Sequence, residues 1–328
     1  MVETKKKKVK LIVATHKQYE SIPLNDLYLP IQVGSELNKD IDLGYQKDNV
    51  GENISSKNDR YSELTALYWA WKHIDAEYIG LVHYRRHFGG NNYHHGKDRL
   101  KWVVTKAELE PMLDNYDVIL PKKRRYYIET LYSHYAHTHY SNQLDTTFNI
   151  IKEKYPEYVN AYKKIINKTS GYMFNMAIMR KDLLDDYCTW LFDILFELEK
   201  RLGTQNLTHF QQRFYGRVSE IIFNAWLEKQ FEDGAIDKKR VSELPVVYLE
   251  KMNFSKKLVA FLMAKFLGRK YQHSFWRKRG VNMTQTKENQ KDVLDRFTQE
   301  LDEKQRREFE KLTQKQKLAV IKDYLRKY

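Results

Sequence analysis

Apolar positions along this chain alternate between helical and strand spacing, and the switches mark its elements. In residues 61–74, Leu64, Leu67, Tyr68, Trp71 and Ile74 recur at helical intervals, which predicts a helix with one stripe turned to a core. Asp59 or Ser62 stands where it can cap the start, and Glu63 falls in the first turn, where a carboxylate suits the helix dipole. Residues 78–82 then form an unbroken apolar run, as expected of a strand buried on both faces. This strand delivers His83, Tyr84, Arg85, Arg86 and His87 together at its carboxyl end. In open α/β sheets ligands bind beyond such ends, and arginines gathered there predict an anionic ligand, phosphate above all.

The pattern repeats on both sides of this stretch. Residues 9–14 read as a first buried strand ending in Thr15, His16 and Lys17, and residues 29–33 as a second, short one. Residues 117–121 predict another buried strand, followed directly by Lys122, Lys123, Arg124 and Arg125. If the two strands with basic ends are neighbours, they form one electropositive crevice. Residues 171–179 read as a strand interrupted by Asn175, whose amide needs a partner if buried. Residues 246–249 can close the sheet. Helices are predicted over 105–116, where Thr105 and Glu108 have capping-box spacing, over much of 129–168, and over 182–201 and 210–231. Residues 40–59 are a loop by composition, in which Asn53, Ser55 and Asn58 can serve a ligand or the turns themselves. The whole is an α/β domain over residues 1–250, a mixed sheet flanked by helices, with a C-terminal helical extension.

Composition narrows the function. A net charge of +14 with 14% aromatic residues favours anionic partners, whether nucleotide, nucleic acid or lipid head groups. The single cysteine, Cys188, excludes a disulfide framework and fits a reducing cytoplasm. The apolar run near the N-terminus is too short for a signal-peptide core, and nothing approaches the roughly 20 apolar residues of a membrane span. Residues 251–280 carry nine Lys or Arg and no acid, interleaved with six aromatics, which suits an anionic membrane surface. Residues 281–328 are highly charged and predict helices, a hairpin or an arm for homo-oligomerisation. His134, His137 and His139 lie close in sequence, but without a Cys pair or an HExxH pattern they are read as lining a sugar pocket, not as metal ligands.

Four segments together carry a resemblance: ATHK at 14–17, NISSKNDRYSELTALYWAWKH at 53–73, EYIGLVHYRRHF at 77–88 and DVILPKKR at 117–124. They resemble a bacterial family long catalogued as a domain of unknown function and found in capsular and exopolysaccharide biosynthesis clusters. Residues 171–195 and 217–226 follow the same pattern. Members look like GT-A glycosyltransferases, in which a nucleotide-binding α/β sheet is fused to an acceptor-binding region. The resemblance covers about residues 9–250 and leaves out the charged C-terminus.

It implies a UDP-sugar as donor co-substrate, a lipid-linked oligosaccharide as acceptor, and a place at the cytoplasmic side of the membrane. Thr15, His16, Asn53, Asn58, Tyr61, His83, Tyr84, Arg85 and Arg86 are then the expected donor contacts. His134, His137, His139, Asn175 and Arg217 line the substrate side. The Asp-x-Asp metal site usual in GT-A enzymes is replaced by His83-Tyr84-Arg85, so a divalent metal is not indicated, and the arginines can stabilise the leaving diphosphate instead. An inverting reaction needs one carboxylate base. Glu220, in a matching segment, ranks ahead of Asp145. The competing class is a basic nucleic-acid-binding protein, against which stand the buried strands ending in polar clusters and the absence of any nucleic-acid motif.

Overall fold

A computed structural model of the chain describes residues 8–19, 23, 25–91, 99–126, 129–204 and 207–250. The expectations for 251–280 and 281–328 lie outside the described residues. Residues 136–140 fall outside the compact unit that the other described residues form and are treated separately.

The strands are β1 (Val9–Thr15), β2 (Tyr28–Gln32), β3 (Gln46–Lys47), β4 (Tyr78–His83), β5 (Arg86–Phe88), β6 (Val118–Pro121), β7 (Arg124–Arg125), β8 (Ser170–Gly171), β9 (Ala177–Arg180), β10 (Val241–Leu244) and β11 (Val246–Tyr248). Seven of them form one path in the order β10-β6-β9-β4-β1-β2-β3, β5 and β11 extend it beside β4, and β7 pairs with β8. The expected mixed sheet is therefore present. β4 is buried along its whole length, as its unbroken apolar run required. At its centre Gly80 faces both neighbours. A Cβ there would meet Leu11 Cδ2 at 2.5 Å and Ile178 Cγ1 at 2.8 Å, so a larger residue would force these core side chains to shift.

The helices are α1 (Asn58–Tyr61), α2 (Leu64–His73), α3 (Lys106–Leu109), α4 (Leu131–Ala136), α5 (Ser141–Lys154), α6 (Val159–Ile166), α7 (Lys181–Leu202), α8 (His209–Gln212) and α9 (Phe214–Glu232). α2 packs on β1, and α7 packs on β4, β9, α5 and α9. α9 is buried on nearly every side from Phe214 to Leu227, including the polar Ser219, Glu220 and Asn224. No described helix is long and apolar enough to cross a membrane.

Several elements differ from their sequence pattern, and the helix expected over 210–231 is split at Arg213 into α8 and α9. The helix expected over 61–74 is broken at Ser62, which takes φ 55° and ψ −129°. The break is held from outside: Arg213 Nε donates to the Ser62 hydroxyl at 2.8 Å and Asn58 Nδ2 to its carbonyl at 2.7 Å. Neither Asp59 nor Ser62 caps α2; Glu63 precedes it and makes no cap hydrogen bond. The strand expected over 171–179 exists only as β8 and β9. Between them Phe174 (φ 76°) and Asn175 (φ 54°) adopt the left-handed region, and the chain leaves the sheet. Finally, the Thr105–Glu108 capping box is present, but Pro111 turns the second half of that helix into a 3₁₀ turn over Glu110–Asp114.

The polar loop before α1 is ordered by one fully buried carboxylate. Asp48 accepts from the N–H groups of Gly34 and Ser35 at 2.9 and 3.0 Å, from the Thr65 hydroxyl at 2.7 Å and from the Ser55 hydroxyl. It thereby joins the end of β2 to the start of α2. Replacing Asp48 by Ala leaves these buried donors without a partner, at an expected cost of about 3 kcal/mol or more. Urea unfolding measures this, and a wild-type midpoint for Asp48→Ala would contradict it.

His87, at the centre of β5, is fully buried with neither ring nitrogen hydrogen-bonded among the described residues, and its ring meets Tyr28 edge-on at 5.5 Å. Burial, with a smaller push from His83, drives its pKa from 6.5 to about 3. Below pH 6.5 the unfolded chain therefore takes up a proton that the folded chain refuses until about pH 3, and stability falls with pH across that window. His87→Phe keeps the ring contact and removes the proton. It should reduce the stability loss between pH 7 and pH 5 by about 2 kcal/mol, read from denaturation curves at the two pH values.

Candidate functional site

β4 runs parallel to β1 and antiparallel to β9, and β9 is antiparallel to β6, which is parallel to β10. The carboxyl ends of β1, β4, β6 and β10 therefore share one edge with the amino end of β9. The left-handed pair Phe174 and Asn175 lies at that edge. β4 and β6 are not neighbours, contrary to the single crevice their basic ends suggested; β9 separates them.

β4 does not run out into a loop. His83 pairs with Arg86 across a turn at Tyr84 and Arg85, and the chain returns as β5, against which β11 pairs. The turn separates the two arginines. Arg85 reaches outward, its guanidinium 5.1 Å from the Tyr84 ring centroid and 3.4 Å from the Glu250 carboxylate. Arg86 turns inward over the Phe174 ring at 4.6 Å, with a buried Nε that has no hydrogen-bond partner among the described residues. Burial, and Arg85 beside it, lower the proton affinity of its guanidinium. Tyr84 is buried at the mouth of β1, where His16 and Tyr19 meet its ring edge-on, each at 5.2 Å. Burial and the nearby cations Lys17, Arg213 and Arg85 hold His16 below the ordinary histidine range, in its neutral form at pH 7.

Facing the arginines are two carboxylates, and α9 positions the second. Glu63 accepts from Asn175 Nδ2 at 2.7 Å, and the same amide donates to the Gly216 carbonyl at 3.0 Å. The Ser219 hydroxyl donates to Asn175 Oδ1 at 2.8 Å. The buried amide of Asn175 is thus satisfied on both sides, which is what can hold a residue in the left-handed region. His83 Nε2 donates to the Phe174 carbonyl at 2.6 Å. Burial weakens the charge on His83, while the Glu63 carboxylate favours it. Glu220 is 4% exposed and accepts from Arg217 Nη1 at 3.0 and 3.3 Å. Burial pushes its carboxyl above the ordinary range; Arg217, Arg86 and Arg124 pull it back, and Glu63 pushes it further up. Arg124 stands over the buried Tyr126 ring at 5.1 Å, and His134 packs on that ring at 3.9 Å while its Nδ1 donates to Glu129 at 2.9 Å.

The structure therefore brings together His83, Arg86, Asn175, Arg217 and Glu220, with Arg85, Tyr84 and His16 at the β1 side of the edge. Other expected residues make hydrogen bonds within the fold. The buried Thr15 hydroxyl donates to the Lys17 carbonyl at 2.5 Å and shapes the strand exit. Asn53 closes an Asx turn with Gly51 and Ser55, and Asn58 Nδ2 also donates to Thr65 at 3.0 Å. Tyr61 is a correction: it is fully buried, stacked on Tyr215 at 4.9 Å, and its hydroxyl donates to Leu195 and Glu199, so it presents nothing to a ligand. Asp145 lies exposed on α5, where it accepts from the Tyr132 hydroxyl at 2.9 Å. It is not among the largest influences on Glu220. His137 and His139 lie within 136–140, outside the unit that carries the edge, and Thr138 shares a 3.0 Å hydrogen bond with His139. Sequence reasoning missed Glu63 as a site carboxylate, Arg213 and Phe174. Nothing in the local pattern marks Phe174, because its role depends on the backbone leaving the sheet.

No three His, Cys, Asp or Glu side chains among the described residues gather to hold a metal ion. At the strand end where the resemblance expects Asp-x-Asp stand an imidazole tied to a carbonyl, a phenol ring and two guanidinium groups. That donor set does not fit a divalent cation.

No curated protein matches this chain. Among solved structures, the apo structure of the bifunctional glycosyltransferase WbbM is similar at 30% identity with a TM-score of 0.68. The match covers 74% of this chain and 46% of that one, so this chain spans less than half of that structure. The likeness makes the helix-flanked mixed sheet a GT-A-like fold. The family described as a domain of unknown function, DUF4422, matches over residues 10–231, and the chain belongs to it.

Proposed function

We propose that this protein is a glycosyltransferase. It moves a hexose, galactopyranose or galactofuranose, from a UDP-sugar to a lipid-linked glycan acceptor in capsular or exopolysaccharide synthesis. The observation that carries this reading is the buried Glu220 carboxylate, raised in basicity, within the field of Arg86 at the strand edge of a fold that a solved glycosyltransferase shares. The acceptor hydroxyl oxygen forms its bond to the sugar anomeric carbon as the bond from that carbon to the diphosphate oxygen breaks. The electron pair leaves with UDP, and the hydroxyl proton passes to Glu220. A carboxylate of raised pKa is the stronger base, and Arg217, hydrogen-bonded to it, favours its ionised form against the effect of burial. Arg85 and Arg86 offset the charge growing on the leaving diphosphate. Arg85 can exchange Glu250, a half-exposed partner at 3.4 Å, for phosphate oxygens with little loss. The basic, aromatic sequence at 251–280 supports peripheral attachment to the cytoplasmic membrane, beside a lipid-linked acceptor.

Arg85→Ala should weaken UDP binding by about 1.5–3 kcal/mol, the range for a hydrogen bond to a charged group. Its half-exposed side chain, paired only with Glu250 among the described residues, should leave the melting temperature of the free protein nearly unchanged. Isothermal titration with UDP, with and without EDTA, measures this; unchanged affinity counts against the diphosphate site, and loss of binding in EDTA counts against metal-free binding alone.

Glu220→Gln keeps the shape and the contact to Arg217 but removes the proton acceptor. Turnover should fall by about a hundredfold or more while UDP affinity holds. A folded variant with near-normal turnover excludes Glu220 as the base.

A further inference from the structure

Phe174 carries Arg86 on its ring and also lines an open pocket of about 650 Å³ at the ends of β6 and β10. None of Glu63, His83, Arg85, Arg86, Arg217 or Glu220 lines this pocket. Its walls are Lys122, Lys123 and Arg124 after β6, Glu243 of β10, Tyr248 of β11 and Phe174. The three cations are exposed, and none pairs with a carboxylate among the described residues. They are nevertheless held in place. The Lys122 N–H donates to the Leu244 carbonyl at 2.9 Å, Lys123 Nζ stands 4.8 Å over the Tyr172 ring, and Arg124 stands over Tyr126. A concave mouth in which three cations outweigh one carboxylate concentrates anions. This wall is where the second basic segment of the sequence went once β9 had separated β6 from β4.

The rest of the lining has different chemistry. Phe174 and Tyr248 meet edge-on with centroids 6.2 Å apart, and Glu243 accepts from the Tyr172 hydroxyl at 2.7 Å. Aromatic faces take the apolar face of a pyranose, and a carboxylate with oxygen to spare accepts from sugar hydroxyls. A bare inorganic anion would use only the cations, and Glu243 would repel it. The volume suits a small ligand of one or two sugar units.

We propose that this pocket is a second anion subsite that takes a phosphorylated saccharide, with its phosphate on Lys122, Lys123 and Arg124 and its sugar ring packed against the Phe174–Tyr248 pair. Phe174, shared with Arg86, sets the two anion sites side by side. The inference rests on the glycosyltransferase reading only where it names the ligand as the acceptor, entering by its phosphate. A soluble sugar phosphate and a lipid-linked sugar diphosphate share this chemistry.

The test is calorimetric titration of the full chain, saturated with UDP, using glucose 1-phosphate and inorganic phosphate as probes. Glucose 1-phosphate should bind with UDP present and several-fold more tightly than inorganic phosphate. The double variant Lys122→Ala/Lys123→Ala should weaken both probes about tenfold or more and leave UDP affinity unchanged. Tyr248→Ala should remove only the advantage of the sugar. A further arm uses a prenyl-diphosphate-linked glucose in micelles: tighter binding than glucose 1-phosphate assigns the lipid-linked source, and equal binding the soluble one. Displacement of glucose 1-phosphate by UDP, equal affinity for the first two probes, or a double variant that binds like wild type each overturns the subsite. If Arg85→Ala leaves UDP binding intact while the double lysine variant loses glucose 1-phosphate, the donor reading fails and the second subsite stands.

Discussion

The direction of β9 governs the rest of the structure. It pairs antiparallel with both β4 and β6, so β4 and β6 point the same way without touching. Their basic ends are held one strand apart, and the turn before β9 fills the gap between them. Phe174 and Asn175 occupy that turn in a backbone region that ordinary residues avoid, at a cost of about 1–3 kcal/mol each. What offsets this cost is the set of bonds around them: Glu63 and Gly216 on the Asn175 amide, Ser219 on its oxygen, and His83 on the Phe174 carbonyl. The strain and the candidate chemistry lie in the same few residues.

Charge at this edge is arranged by burial as much as by contact. Two carboxylates, Glu63 and Glu220, sit close enough for Glu63 to raise the proton affinity of Glu220, which is buried. Such a pair is tolerated only with cations near, and Arg217, Arg213 and Arg86 supply them. Arg86 is in turn partly stripped of solvent and rests on an aromatic face. A guanidinium in this setting keeps its charge and has hydrogen-bonding capacity to offer an incoming anion. An Asp-x-Asp segment at the same strand end would add acids to a crevice that already holds two. The replacement by His-Tyr-Arg is consistent with the electrostatics of its surroundings.

The outer part of the edge is tied to the end of the described chain. Arg99 Nη1 donates to the carbonyls of Tyr248 and Glu250 at 2.6 and 2.8 Å, and the Leu249 N–H donates to the Arg85 carbonyl at 2.9 Å. β11 and the residues after it therefore fix the hairpin that carries Arg85. Glu250 reaches both Lys17 and Arg85, linking the exits of β1 and β4 with a single acid. Because these contacts are half-exposed, they are weak and exchangeable, unlike the buried bonds around Asn175.

By itself the sequence determined the elements whose signal is local. The apolar runs of β1, β4 and β6, the stripe of α2, the long helix α7, most of α9 and the Thr105 capping box form where their pattern places them, because the pattern that marks a buried face or a cap is written in residues close together in the chain. The positions of His83, Arg85 and Arg86 at a strand end were legible for the same reason. The tertiary structure alone decided what required partners distant in sequence. Ser62 breaks a helix because Arg213, 151 residues away, holds its hydroxyl. Residues 172–176 leave the sheet because Glu63 and α9 capture Asn175, and Tyr61 turns into the core because Tyr215 and Leu195 receive it. Glu63 looked like a helix-dipole residue and became the acceptor that holds the Asn175 amide. Periodicity reports which face of an element is buried, but a polar residue's role depends on which distant groups meet it there, and that is set only when the sheet order is complete.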